Sequence, residues 1–144
     1  MSTLTQLNDV FADNMCFYWL SHSSHVNITG RNFTSDHKLL QKIYEDSQAQ
    51  IDTLAEFIRT LRAKVPTSMV EIIESSSITV TTSENDSADE LLQSVLDGLE
   101  QLVSCYTELF DVATAEGEQQ IANYAADRMG VHKKSIWKLE STLA

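Results

Sequence analysis

Little in this chain obliges a helix to stop. One proline and four glycines are spread over 144 residues, and the long stretches between them are rich in alanine, leucine, glutamate and glutamine, which favour helix. Cysteine is also scarce: Cys16 and Cys105 both sit inside apolar helical patterns, where a free thiol behaves as a small hydrophobe, so a structural role is expected rather than a disulfide. No run approaches the ~18 apolar residues that cross a bilayer. The first ten residues carry no basic side chain, and Asn8, Asp9, Asp13 and Asn14 break any apolar core there, so no signal peptide is expected. The Asn-x-Ser/Thr matches at Asn27, Asn32 and Asn85 are then chance sequons in a chain expected in the cytoplasm.

Positive charge is the other shortage. Ten Lys and Arg against 21 Asp and Glu leave a formal net charge of −11. The basic residues are scattered, with Arg59, Arg62 and Lys64 the densest group and His132-Lys133-Lys134 second. A nucleic-acid binder needs a basic face to displace counterions from phosphates, so direct DNA binding is not expected.

What is present is apolar periodicity. A first helix is expected from about Thr3 to about Ser24, apolar nearly all round from Met15 to Leu20, so more than one of its faces must be covered. A short glycine-containing turn at Asn27–Asn32 makes the second helix an antiparallel neighbour. That helix is expected over 35–64, with Ser35 as N-cap and Pro66 beyond its end. Residues 66–87 form a long crossover with a short helix over 67–74 and a polar, β-leaning remainder. A third helix over 88–116 repeats Leu92, Val95, Leu99, Leu102, Tyr106, Leu109 and Ala113 at alternating three- and four-residue steps. Gly117 turns the corner into a fourth over 118–141, with Gly130 as a kink candidate.

Short link, long link, short link: this order describes a single all-α domain over residues 1–144, a ferritin-like four-helix bundle whose long crossover carries a short helix. The second and third long helices then run parallel, which an up-down-up-down bundle does not permit.

Bundles of this kind often hold two metals within one subunit through Glu-x-x-His motifs. None occurs here, and none of His22, His25, His37 and His132 has a carboxylate three residues before it. The first hairpin offers a different solution. Asp52 and Glu56, four residues apart, share one helix face and present hard oxygen donors. His25 and His37 lie at one corner of the same hairpin. At about 1.5 Å rise per residue, His37 and Asp52 stand roughly 22 Å apart along one rod, so one ion cannot gather all four from a single chain. If the second helix packs antiparallel against its two-fold mate, the histidine corner of one chain meets the Asp52–Glu56 patch of the other. A nitrogen-and-oxygen donor set without sulfur suits Fe(II), Zn(II) or Mn(II). Two ions sharing Glu56 would lie about 3.5–4 Å apart, as in two-metal sites generally.

The pattern His25-x-Asn27-x-x-Gly30-x-Asn32-Phe33, then His37, then Asp52-x-x-x-Glu56, resembles the Dps family of mini-ferritins. The likeness continues through Pro66, Val70–Glu74, Ser75-Ser76, Asp127-Arg128, His132 and Trp137, covering nearly the whole chain. The resemblance implies a hollow homo-dodecamer with ferroxidase sites at its two-fold interfaces, oxidising Fe(II) with peroxide or O2 and storing ferric mineral. It implies that His25 and His37 come from one subunit and Asp52 and Glu56 from its mate. It also implies iron entry through three-fold pores lined near the start of the last helix, at Glu118, Asn123 and Asp127.

Two departures from the family stand out. Its usual Asp four residues after the second histidine is Gln41, with Glu45 one turn further as a weak substitute. Its usual Trp after the first histidine is Val26, removing an aromatic that accepts oxidising equivalents. Asn123 likewise stands where a pore acid is usual. His22 is expected as a polar shoulder of the first helix rather than a ligand, and His132 and Trp137 as packing and hydrogen-bonding residues between helices. The family's DNA protection usually relies on a Lys/Arg-rich terminal extension, and no such segment is read in this sequence. Two readings follow: an iron-oxidising, iron-storing mini-ferritin, or a cage whose degenerate site makes it a non-catalytic metal-binding, structural or DNA-protecting assembly.

Overall fold

The structure, a computed structural model, describes residues 1–79 and 82–144. Five helices follow in order: α1 (Thr3–Asn27), α2 (Phe33–Thr60), α3 (Met69–Ser75), α4 (Ala88–Ala115) and α5 (Gln119–Leu143). No strand occurs among the described residues. Part of the β-leaning stretch expected in the crossover, Val80 and Thr81, lies outside them.

Directions along the bundle are fixed by pairs of contacts. Asn14 Nδ2 donates to the Ser47 carbonyl at 2.9 Å and His25 meets His37, so α1 and α2 are antiparallel. Thr3 N donates to Glu116 Oε1 at 2.6 Å and Gln6 Nε2 to the Cys105 carbonyl at 3.3 Å, while Gly98 lies against Phe17 and Leu20. Partner numbers fall on α4 as they rise on α1, so these two are antiparallel as well. Helices α2 and α4 are therefore parallel, and the 61–87 connection must travel the length of the bundle. Its far end comes to rest beside the α1–α2 turn, where Ala88 faces Gly30.

The crossover is held midway by Asp13. This buried carboxylate accepts from Ser76 Oγ at 2.8 Å and from Ser77 N and Oγ, both at 2.7 Å. Between the helices, Leu7, Val10, Phe17, Leu40, Leu54, Ile58, Leu92, Leu99, Leu102, Tyr106 and Ile121 are fully buried and form one continuous core. Both cysteines are free and buried within it.

Helix ends differ from the expected ones for local reasons. Helix α1 continues to Asn27, its last turn closed by Ile28 N bonding to Ser24 O at 3.0 Å. Helix α2 starts at Phe33 on Asn32; Ser35 is no cap, its hydroxyl donating back to the Asn32 carbonyl at 3.0 Å. It stops at Thr60 rather than 64 because Arg62 turns left-handed, φ 67°. Arg62 N then bonds to Arg59 O at 3.0 Å and Ala63 N to Ile58 O at 3.4 Å, the paired bonds of a Schellman ending. Helix α4 ends the same way at Gly117, φ 77°. Helix α5 runs unbroken through Gly130.

Candidate metal centre

The 28–32 turn folds the end of α1 back onto the start of α2 and brings His25 and His37 face to face. Their rings stack at 3.7 Å between centroids, inclined by 15°. Each ring bonds to the other residue's backbone: His25 Nδ1 to the His37 carbonyl at 2.7 Å, His37 Nδ1 to the His25 carbonyl at 2.8 Å. A carbonyl only accepts, so both Nδ1 atoms carry the proton, and in the neutral rings both Nε2 atoms keep a free lone pair. The bond from His37 also satisfies a carbonyl in the last turn of α1, which has no partner within the helix. Tautomer, ring orientation and hairpin closure are thus set by the same two bonds. His25 is buried and His37 half-buried.

Four turns along α2, Asp52 and Glu56 project from one exposed face. A hydrogen bond shared with Asp52, and then its charge, push the Glu56 carboxyl above its ordinary carboxylate value. Two carboxylates in this relation repel one another, and a bound cation would relieve that repulsion. The structure keeps them apart from the histidine corner. Among the described residues, no three His, Cys, Asp or Glu side chains of one chain converge on a point that would hold a metal ion.

Between the two patches, Gln41 Nε2 donates to Glu45 Oε1 at 2.9 Å. The pair offers one carboxylate where the family pattern carries an acid at the first position as well. Val26 points to solvent.

At the start of α5, Glu118 is the N-cap and accepts from Gln120 Nε2 at 2.6 Å without capping its own helix. Asn123 and Asp127, four apart on one exposed face, follow it, with Asn123 Oδ1 accepting from Gln119 Nε2 at 3.0 Å.

His132 packs between helices as expected. It is buried against Phe17 and Tyr106 with Arg128 Nη2 at 3.4 Å, and burial first, then the Arg128 charge, lower its pKa to about 3. Arg128 itself forms an ion pair with Asp46 on α2. Trp137 does not share this role: it is 61% exposed, on the rim of a groove with Asn32, Leu39 and Lys138. The expectation that it packs and hydrogen-bonds between helices is not met, because its ring faces outward in the isolated chain.

Sequence reasoning missed the aromatic surroundings of the histidines. His22 lies flat on Tyr44, 3.8 Å between centroids and 3° between planes, and shares a 2.7 Å hydrogen bond with Tyr18. The Tyr18-x-x-x-His22 spacing was the available signal, since residues four apart meet on a helix. Tyr44 reaches the same place from α2, which no single-helix pattern reveals.

A family profile described as "Ferritin-like domain" matches residues 4–144. The chain is similar to the "DNA protection during starvation protein" of Helicobacter pylori, 29% identical over 144 residues and covering all of both chains. It is also similar to the protein of the same name from Brevibacillus brevis, 28% identical, covering 95% of this chain and 91% of the relative. Among solved structures, Helicobacter cinaedi CAIP superposes with a TM-score of 0.92 at 30% identity, covering 99% and 100% of the two chains. A Dps protein from Vibrio cholerae O1, described as a member of a broad superfamily of ferritin-like diiron-carboxylate proteins, gives 0.92 at 27%, covering 99% and 89%.

Proposed function

This chain belongs to the ferritin-like domain family, in its Dps branch, and from that premise we propose that it oxidises Fe(II) at sites shared between two subunits and stores the ferric product inside a homo-oligomeric cage, a dodecamer as the family resemblance implies. The observation that carries this reading is the reciprocal His25–His37 pair. It spends both Nδ1 atoms on backbone carbonyls and leaves two oriented Nε2 donors at one end of α2. Asp52 and Glu56 supply oxygen donors and negative charge at a distance a single chain cannot bridge.

Fe(II) is the substrate. His25 and His37 of one subunit bind it through Nε2; Asp52 and Glu56 of the mate complete the set and neutralise its charge. Zn(II) and Mn(II) fit the same donors and would compete. Two Fe(II) ions give one electron each, and hydrogen peroxide takes both with two protons to leave as two waters; O2 is the alternative oxidant. Removing Fe(II) and peroxide together is a protective chemistry that needs no contact with DNA. Entry past the start of α5 is part of the proposal, with Glu118 and Asp127 carrying the charge there and Asn123 not.

The experiment is peroxide addition to anaerobically Fe(II)-loaded protein, followed by ferric absorbance. Rapid oxidation that is lost in Asp52→Ala and in Glu56→Ala is expected; indifference to both changes rejects the site. Subunit sharing has its own test. Co-assembling a His25→Ala/His37→Ala chain with an Asp52→Ala/Glu56→Ala chain creates, by two-fold symmetry, one intact site in each mixed pair. Random mixing should therefore restore about a quarter of the wild-type sites from two inactive parents. No restoration would place all ligands in one chain. Intact cages without oxidation would favour the non-catalytic reading, to which the neutral Gln41 beside Glu45 already leans.

A further inference from the structure

The rings behind His25 form a connected path that ligation alone does not require. Tyr44 stands 5.0 Å from His25 between centroids and lies stacked on His22. At the edge of the His22 ring, the Tyr18 hydroxyl meets Nδ1 at 2.7 Å, with the Tyr18 centroid 6.4 Å from that of Tyr44, and the exposed Trp19 sits edge-on to His22 at 5.8 Å. An imidazole nitrogen is a far stronger base than a phenol oxygen, so the bond runs from Tyr18 O–H to His22 Nδ1. A phenol releases an electron near neutral pH only as its proton leaves, and this bond gives that proton a place to go. Among the described residues Tyr18 alone of the four tyrosines has its hydroxyl on an imidazole nitrogen. The Tyr106 and Tyr124 hydroxyls lie 3.4 Å apart, and Tyr124 donates to Gln50 Oε1 at 2.7 Å.

We propose that Tyr18 is a one-electron donor to the iron site, with His22 as the base that receives its proton and Tyr44 as the ring that carries the electron toward His25. The inference rests on the iron-oxidising reading above and explains how a weakened site handles a two-electron oxidant. With Gln41 in place of a carboxylate, peroxide meets a site holding one Fe(II). One electron would split peroxide into hydroxide and a hydroxyl radical. When Tyr18 supplies the second electron, peroxide takes both with two solvent protons and leaves as two waters. One Fe(III), a neutral tyrosyl radical and protonated His22 remain. A following Fe(II) then returns an electron to Tyr18 while His22 returns the proton, so the sum is two Fe(II) oxidised per peroxide.

The test loads the assembled protein anaerobically with one Fe(II) per subunit, adds peroxide, and freezes the mixture for electron paramagnetic resonance. A phenoxyl signal is expected that narrows when the protein carries ring-deuterated tyrosine. Tyr18→Phe should reduce it to background and increase hydroxyl radical captured by a spin trap, while Fe(III) still forms. His22→Gln should lower the radical yield with Fe(III) formation retained, and Trp19→Phe should leave the signal in place. Should Tyr18→Phe fail to assemble, 3-fluorotyrosine at position 18 assigns the signal through fluorine splitting. Fe(III) formation without a tyrosine-derived signal, or a signal unchanged in Tyr18→Phe or unsplit by the fluorine label, overturns the relay alone. Absence of Fe(III) formation in the wild type overturns the iron-oxidising reading beneath it.

Discussion

Gln41 is the residue at which, under the proposed iron chemistry, a single atom type would set how many ions the site holds. Its amide sits one turn beyond His37 with Nε2 donating to Glu45, leaving only the neutral carbonyl Oε1, so neither charge nor a second oxygen is offered there. Gln41→Asp adds both. The cost is a like-charge pair with Glu45 at four-residue spacing, about 0.2–0.5 kcal/mol, against a ligand bond to a divalent ion that is worth considerably more. Stepwise Fe(II) titration under argon should move from one tight ion per site to two, and peroxide-driven oxidation should quicken by about tenfold, equivalent to about 1.4 kcal/mol in the barrier. An unchanged stoichiometry would mean that something other than the missing carboxylate closes the second position. His132 gives the complementary residue-scale prediction, for stability instead of chemistry. Its pKa is lowered to about 3 in the fold against about 6.5 in the unfolded chain. The unfolded chain therefore binds the extra proton first as pH falls below 6.5. Stability from this group is present above that value and declines by up to about 1.4 kcal/mol per pH unit on the way toward 3. Denaturant midpoints at pH 7 and pH 5, compared at one protein concentration, should converge in His132→Gln, which keeps an acceptor for Arg128 but does not titrate.

Gly98 shows how an element is specified by what its neighbour needs. A Cβ there would stand 2.8 Å from Phe17 Cδ1 and 3.3 Å from Leu20 Cδ2 on α1. Alanine would improve the helix propensity of α4 by about 1 kcal/mol. Phe17 is fully buried and has nowhere to move, so the overpacking penalty of about 1–3 kcal/mol should win. Gly98→Ala is expected to lower the melting temperature, and a rise would show that the α1–α4 contact relaxes freely. The same scale explains which parts of the structure were legible. Link lengths set the topology, because only a long second connection makes α2 and α4 parallel, and the bundle follows from that. The end of α2 was not legible: its Schellman turn uses Arg62, and no side-chain rule marks an arginine for a left-handed backbone. At the candidate site, His25, His37, Asp52 and Glu56 could be named from spacing. The reciprocal ring-to-carbonyl bonds could not, because they depend on how closely the 28–32 turn draws two helix ends together. The stack of His22 on Tyr44 was invisible for a related reason, as it joins residues on different helices.

At the scale of the whole molecule, charge separates two ways of protecting DNA. Twelve copies at −11 each would carry a formal charge of about −132, and the densest basic group, Arg59, Arg62 and Lys64, sits at the end of α2, where Arg59 is spent on the Ala63 carbonyl at 2.8 Å. Phosphate binding gains its affinity from cations that displace counterions, and a cage with this balance repels a polyanion over most of its surface. The relatives' names join DNA protection to starvation, yet in this chain the proposed chemistry protects by consuming the reagents of damage. A plasmid exposed to Fe(II) and peroxide should remain supercoiled in the presence of the protein. The same plasmid should show no retardation on a gel run without divalent cations. Protection should vanish in Asp52→Ala and Glu56→Ala although neither change adds a positive side chain. If instead the plasmid is retarded, and the two variants protect as well as the wild type, shielding by contact is the mechanism. The net charge would then be a poor guide to the surface that DNA meets, since an assembled cage can concentrate its few basic side chains around one symmetry axis while its acids line the interior.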